Sequence, residues 1–116
     1  MDQSRSTLDV DTILELLSHY HRRTVLRTLS EHTEDVVEFD VVIDELAAIE
    51  SDEGGDSVEE SKITSTLLHQ HCPKLREAGI IDYDVRSDEI RYYGNERIEI
   101  ALELITELEA TLKTGQ

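Results

Sequence analysis

Apolar residues recur along the chain at helical spacing in some stretches and alternate with polar ones in others, and the changes between the two patterns mark off the elements. Thr12 to Leu17 is the first helical stretch, with Asp9 and Asp11 placed as N-caps and Thr12 and Glu15 in capping-box spacing. In "YHRRTVLRTLSEH", Val25, Leu26 and Leu29 share one face, while Arg22, Arg23 and Arg27 lie largely around the other. Val36 to Phe39 is too short and too alternating for a helix and predicts a small strand. Asp40 then caps a third helix, "VVIDELAAIE", with Val42, Ile43, Leu46, Ala47 and Ile49 as a broad apolar stripe.

Gly54 and Gly55, inside the acidic stretch "ESDEGGDSVEES", break the chain, and Ser57 with Glu60, or Ser61 alone, restarts it. The fourth helix runs through Leu68 to about Ala78, where Gly79 ends it in the left-handed conformation that glycine adopts most cheaply. Pro73 cannot donate to the carbonyl of His69, which predicts a kink or local break. In "IIDYDVRSDEIRYY", Ile81, Tyr83 and Val85 face one way, Arg86 to Glu89 turn, and Ile90 and Tyr92 return, giving a β-hairpin. "NERIEIALELITELEATLK" closes the chain as a helix of roughly 27 Å, at about 1.5 Å per residue. The fold class is therefore α+β, mainly α. The division is one domain over 9–94, a C-terminal helix over 95–113, and flexible tails at 1–8 and 114–116.

With 116 residues there is room for one core only. The chain has no apolar run long enough to span a bilayer, and "MDQSRSTLDVD" lacks the basic and apolar regions of an export signal, so a cytoplasmic location is expected. The single cysteine, Cys72, forms no internal disulfide, which agrees with a reducing compartment. Charge changes the picture most: 27 acidic residues against 11 basic ones give a net charge of −16. Eight of the basic residues are Arg. Such acid-rich, lysine-poor composition resembles that of haloarchaeal proteins. At about 1 M salt the Debye length is roughly 3 Å, short enough to screen most of the repulsion between carboxylates. Two cationic islands interrupt the acid, one of Arg22, Arg23 and Arg27, the other of Lys62, Lys74 and Arg76.

The stretch "LHQHCPKLREAGIIDYD" resembles the recognition-helix-to-wing signature of arsenic-repressor-like winged helices. It is closer still to a group of small haloarchaeal winged-helix regulator-like domains, which carry "HLPKLxxAGhhxYD" here and "LSxxxRRxVLxxL" near the start; this chain has "LSHYHRRTVLRTL" at Leu17 to Leu29. The resemblance spans about residues 9–94 and implies a winged helix-turn-helix with a two-stranded wing, extended by the C-terminal helix. Two departures stand out: Cys72 replaces the usual leucine, and the connection from Glu50 to Ser61 is much longer than a tight helix-turn-helix allows.

In such a domain the fourth helix enters the major groove and the hairpin reaches backbone or an adjacent groove. Helical spacing buries Leu68, Cys72 and Leu75 and turns Lys62, Ser65, Thr66, His69 and Gln70 outward. These types suit the task, since Gln can pair with adenine, Ser and Thr with bases or phosphates, and Lys with phosphate. Arg22, Arg23 and Lys74, together with Arg86 and Arg91 on the wing, complete the expected DNA contacts. His69 and Cys72 share a face, but His71 points elsewhere, both histidines being expected at the surface, and His19, His21 and His32 come from other segments; no metal site and no cofactor is expected. No catalytic motif is present, so an enzyme is not expected. On the last helix Ile98, Ala101, Leu102, Ile105, Leu108 and Leu112 form a heptad-like stripe, predicting a homodimer. The resulting expectation is a homodimeric regulator of a halophilic archaeon that binds double-stranded DNA. The alternative is a winged-helix protein-interaction module that does not bind DNA, its acidic surface meeting a protein partner.

Overall fold

The computed structural model describes residues 8–32, 34–52 and 60–114. The Gly54–Gly55 break and the Ser57 start signal lie outside them. The order is α1 (Val10–Leu16), α2 (Tyr20–Glu31), β1 (Val36–Glu38), α3 (Phe39–Asp52), α4 (Glu60–Thr66), a π-helical turn (Leu67–His71), α5 (Cys72–Glu77), β2 (Ile81–Asp84), β3 (Glu89–Tyr92) and α6 (Glu96–Thr114). The protein is mainly helical, with one small antiparallel sheet of order β1-β3-β2. The hairpin is not a free two-stranded unit: β1 adds to the outer side of β3, aligning Val37 with Ile90, while Tyr83 meets Ile90 from β2.

Local chemistry accounts for most boundaries. Asp9 caps α1, its carboxylate accepting from the Thr12 N–H at 2.8 Å. That hydrogen bond also holds the Asp9 carboxyl below its ordinary pKa. Glycine ends the α5 segment as expected: Gly79 has φ +79°, the Gly79 N–H reaches the Arg76 carbonyl, and the Ile80 N–H reaches back to Leu75, a Schellman closure. The hairpin turn is set by Asp84, whose carboxylate accepts the Arg86 N–H, and by Asp88 at φ +59°. Val85, expected to continue the inward face, is exposed beyond the end of β2. Helix α3 begins at Phe39, not after Asp40; the Phe39 N–H is held by the Asp88 carbonyl and its ring packs edge-on against Tyr83.

The largest departure from simple periodicity is in the fourth helix. Pro73 has no N–H, and a straight α-helix would also press its ring on the carbonyl one turn back. The chain widens into a π turn there, the Cys72 N–H bonding to the Leu67 carbonyl. The extra residue resets the inward face. Leu67, His71, Cys72 and Leu75 are all fully buried, whereas Leu68, expected inside, is only half-buried.

One core collects these faces: Val25, Leu26 and Leu29 of α2, Val42 and Leu46 of α3, Leu67 and Leu75, the sheet residues Ile81 and Ile90, and Ile98 of α6. Leu8, placed by the sequence in a flexible tail, is buried, and its carbonyl accepts from Arg97. The π register makes a direct prediction. Leu67→Ala should destabilise the fold by about 2–5 kcal/mol, and Leu68→Ala by well under half as much, in denaturant titrations at high salt. Equal losses would restore the uninterrupted α-helical register.

Candidate nucleic-acid interface

The residues expected on the groove-facing side divide by element. On α4 and the π turn, Lys62, Ser65, His69 and Gln70 are exposed. Thr66 is half-buried, and its hydroxyl donates to the Lys62 carbonyl at 3.0 Å, leaving the oxygen as an acceptor only. Lys74 on α5 is turned across to α1, where its ammonium meets the Glu15 carboxylate at 2.9 Å and holds that carboxyl below its ordinary pKa. On the hairpin Arg86 and Arg91 are exposed, with Asp82, Asp84, Asp88 and Glu89 around them; Arg91 lies across the ladder from Asp82. Among the described residues no ion pair engages Lys62, Arg86 or Arg91. Arg76, by contrast, stacks over the Tyr83 ring and pairs with Asp82 at 3.4 Å.

Of the α2 arginines expected to contact DNA, Arg22 is buried, which corrects its assignment, and Arg23 is half-buried and tied into the protein. Arg22 is only 4% exposed. Its Nε donates to the Leu16 carbonyl at 2.7 Å, one terminal nitrogen to the Glu15 carbonyl at 2.9 Å, and the other reaches His71 Nδ1 at 3.2 Å. Those carbonyls end α1, where helical carbonyls lack partners and a cation is favoured by the helix dipole. Arg23 does the same for Leu17, donating at 2.7 Å, and turns its other edge to Glu109 of α6, which also receives Arg27. The paired arginines of "HRRTVLRTL" thus close α1 and dock α6, and the first cationic island is used inside the protein.

His71 is the residue that the sequence misplaced most. Expected on the surface, it is fully buried under α2, with its ring centroid 4.7 Å from that of His19 and 5.5 Å from that of His21. His19 stands at the N-cap of α2, its Nδ1 accepting the His21 N–H at 3.1 Å. Because guanidinium only donates, His71 Nδ1 is an acceptor, and the neutral ring carries its proton on Nε2. That Nε2 is buried without a hydrogen-bond partner among the described residues. Burial, with the neighbouring His19, Arg22 and His21, pushes the His71 pKa down to about 4. The sequence carried one signal for this, the kink or local break expected at Pro73, but nothing in it brings His19 and His21 to His71. Cys72 beside it fills the core, as expected, with its thiol pushed up to about 12 by burial.

The C-terminal stripe also divides. Ile98 and Leu102 are buried in the protein's own core and are removed from any interface, because they hold α6 to the body. Ala101 and Ile105 are half-buried, while Leu108 and Leu112, with Ile100 and Leu104, are exposed.

Fold and surface together define a small, mainly helical α+β domain that presents a polar, cation-bearing helix face beside an antiparallel hairpin. Residues 14–91 match the family described as a domain of unknown function, DUF7344, and the chain belongs to that family. No curated protein and no solved structure matches the chain. Among the described residues no helix is long and apolar enough to cross a membrane.

The buried histidine fixes a pH dependence. Its folded pKa of about 4 lies below the ordinary 6.5, so between those values the unfolded chain binds more protons than the folded one. Its contribution to stability is therefore complete above the unfolded pKa and lost as pH falls from about 6.5 towards 4, by up to about 1.4 kcal/mol per pH unit. Urea midpoints of metal-free protein at constant high salt should fall through this window. In His71→Gln the slope should flatten. An unchanged slope would place the titration elsewhere.

Proposed function

We propose that the chain is a winged helix-turn-helix transcription regulator that binds double-stranded DNA as a homodimer, with the α4-to-α5 segment as recognition helix and the β2-β3 hairpin as wing. The observation that carries this reading is the distribution of charge. In a protein of net charge −16, the stretch from Ser61 to Arg76 holds no Asp or Glu, and its exposed side chains are Ser61, Lys62, Ser65, His69, Gln70 and Arg76, the last paired with Asp82. The element order and the sheet order β1-β3-β2 support it, because they place the helix pair α3–α4 ahead of a hairpin that packs against α5.

With Arg22, Arg23, Arg27 and Lys74 tied into the protein, few cations are left for phosphate. Affinity that rests on phosphate also falls steeply with salt. Recognition therefore depends on base contacts and shape, with Gln70 and His69 reading edges, Ser65 and the Thr66 oxygen assisting, and Lys62, Arg86 and Arg91 meeting backbone. Dimerisation uses Leu104, Leu108 and Leu112 of α6 rather than the buried Ile98 and Leu102. Glu99, Glu103 and Glu107 beside them repel at low salt, so assembly strengthens as salt rises.

The rival reading, a protein-interaction module, is favoured by the acids that crowd the hairpin and by the inward use of the α2 arginines. Chromatin capture of the tagged protein in a high-salt archaeal host, followed by sequencing, separates the two. Discrete peaks sharing a two-fold-symmetric motif support the regulator; a flat profile from folded, expressed protein supports the module.

Two variant sets follow. On the recovered site, Gln70→Ala should lose about 1–3 kcal/mol of discrimination at one base position, with folded Arg23→Ala binding all sequences as the parent does; a uniform loss of affinity in folded Arg23→Ala would return Arg23 to the interface. Leu108→Asp with Leu112→Asp should give monomers by light scattering in molar salt, with the fold intact by circular dichroism. A variant that stays dimeric would move the interface off α6.

A further inference from the structure

We infer that His19, His21 and His71 form a binding site for a divalent transition-metal ion of the zinc class. This goes beyond DNA binding and does not rest on it. Each histidine offers a ring nitrogen, and these ligand atoms lie within 4.8 Å of one another. Three imidazoles are a donor set that suits zinc, cobalt, nickel or copper and is a poor match for magnesium or calcium. Three protein nitrogens leave one position of a tetrahedral ion for water or another ligand.

The second observation is independent of the spacing. His71 is fully buried, and its Nε2 has no hydrogen-bond partner among the described residues, although a buried N–H without an acceptor is unfavourable. The ring bearing this nitrogen packs directly against the other two. Coordination gives His71 Nε2 a partner: the ring proton moves from Nε2 to Nδ1, and the lone pair freed at Nε2 binds the ion, so that the Nδ1–H in turn requires an acceptor in place of the Arg22 donor. His71 as a whole releases no proton in this step.

Two features set the terms of binding. The Arg22 guanidinium at 3.2 Å from His71 Nδ1 opposes the cation and must give up that hydrogen bond, because Nδ1 becomes a donor. Arg22 keeps its other acceptors, the carbonyls of Glu15 and Leu16, so it stays anchored when the bond to His71 is lost. The backbone already sets His19 and His21 side by side through the N-cap bond at 3.1 Å. The ion would thereby clamp the start of α2 to the π turn that carries His69 and Gln70.

The test uses the full chain, stripped with chelator, refolded in high salt and titrated with cobalt(II) alone, then with zinc(II) as competitor. Excess magnesium(II) is present to occupy surface carboxylates. The expected result is one equivalent of cobalt bound with visible d–d absorption of a nitrogen-ligated, four- or five-coordinate ion, displaced by zinc. His21→Asn, at a half-exposed position where folding is checked by circular dichroism, should weaken binding by more than about 100-fold, the upper end for losing even an outer-shell partner. His32→Ala and His69→Ala, outside the cluster, should bind as the parent does. Absence of saturable cobalt binding by folded parent protein would overturn the inference. So would parent-like affinity in folded His21→Asn, or a loss in His69→Ala equal to that in His21→Asn.

Discussion

The buried guanidinium of Arg22 is the interaction on which the rest of the structure depends. A charge held at 4% exposure is unfavourable unless its donors are met, and here they are met by two terminal carbonyls of α1 and by His71 across the core. Burial draws the guanidinium pKa down, while the Glu15 carboxylate acts in the opposite sense. One side chain therefore fixes three elements at once: the end of α1, the start of α2 and the π turn. Remove it, and α1 loses its C-terminal cap while His71 loses the donor that sets its tautomer.

This arrangement governs what the surface can do. A chain with few cations commits Arg22, Arg23 and Arg27 to its own helix ends and to Glu109, so its internal cohesion and its outward charge compete for the same residues. The face of α4 and the π turn is left polar more than basic. For the DNA-binding role we propose, that composition suits molar salt, because hydrogen bonds to base edges survive screening better than attraction to phosphate does. The dimer proposed through the exposed leucines of α6 follows the same logic, since apolar association is not weakened by salt.

Much of the architecture was legible in the sequence because it rests on local rules. The alternation around Ile81 and Ile90, the glycine at position 79 and the long amphipathic run from Glu96 each specify an element without help from elsewhere. What was not legible depends on one inserted residue or on distant partners. Pro73 predicted a disturbance, but the π turn also advanced the inward face, so Leu67 replaced Leu68 and His71 moved from surface to core. Arg22 looked like a surface cation because its acceptors are backbone carbonyls, which leave no trace in residue type. Ile98 and Leu102 fell in the same heptad pattern as Leu108 and Leu112, and only the packed fold separates the inward pair from the outward one. The convergence of His19 and His21 on His71 is tertiary and has no sequence signature.

The most direct measurement of the Arg22–His71 contact is long-range nitrogen–proton correlation NMR of the histidine rings in metal-free protein at neutral pH and high salt. A neutral His71 with its proton on Nε2, and Nδ1 shifted as an acceptor, is the result required by donation from Arg22. A His71 protonated on Nδ1, or a charged ring, would contradict it, and with it the joining of α1, α2 and the π turn through one buried guanidinium.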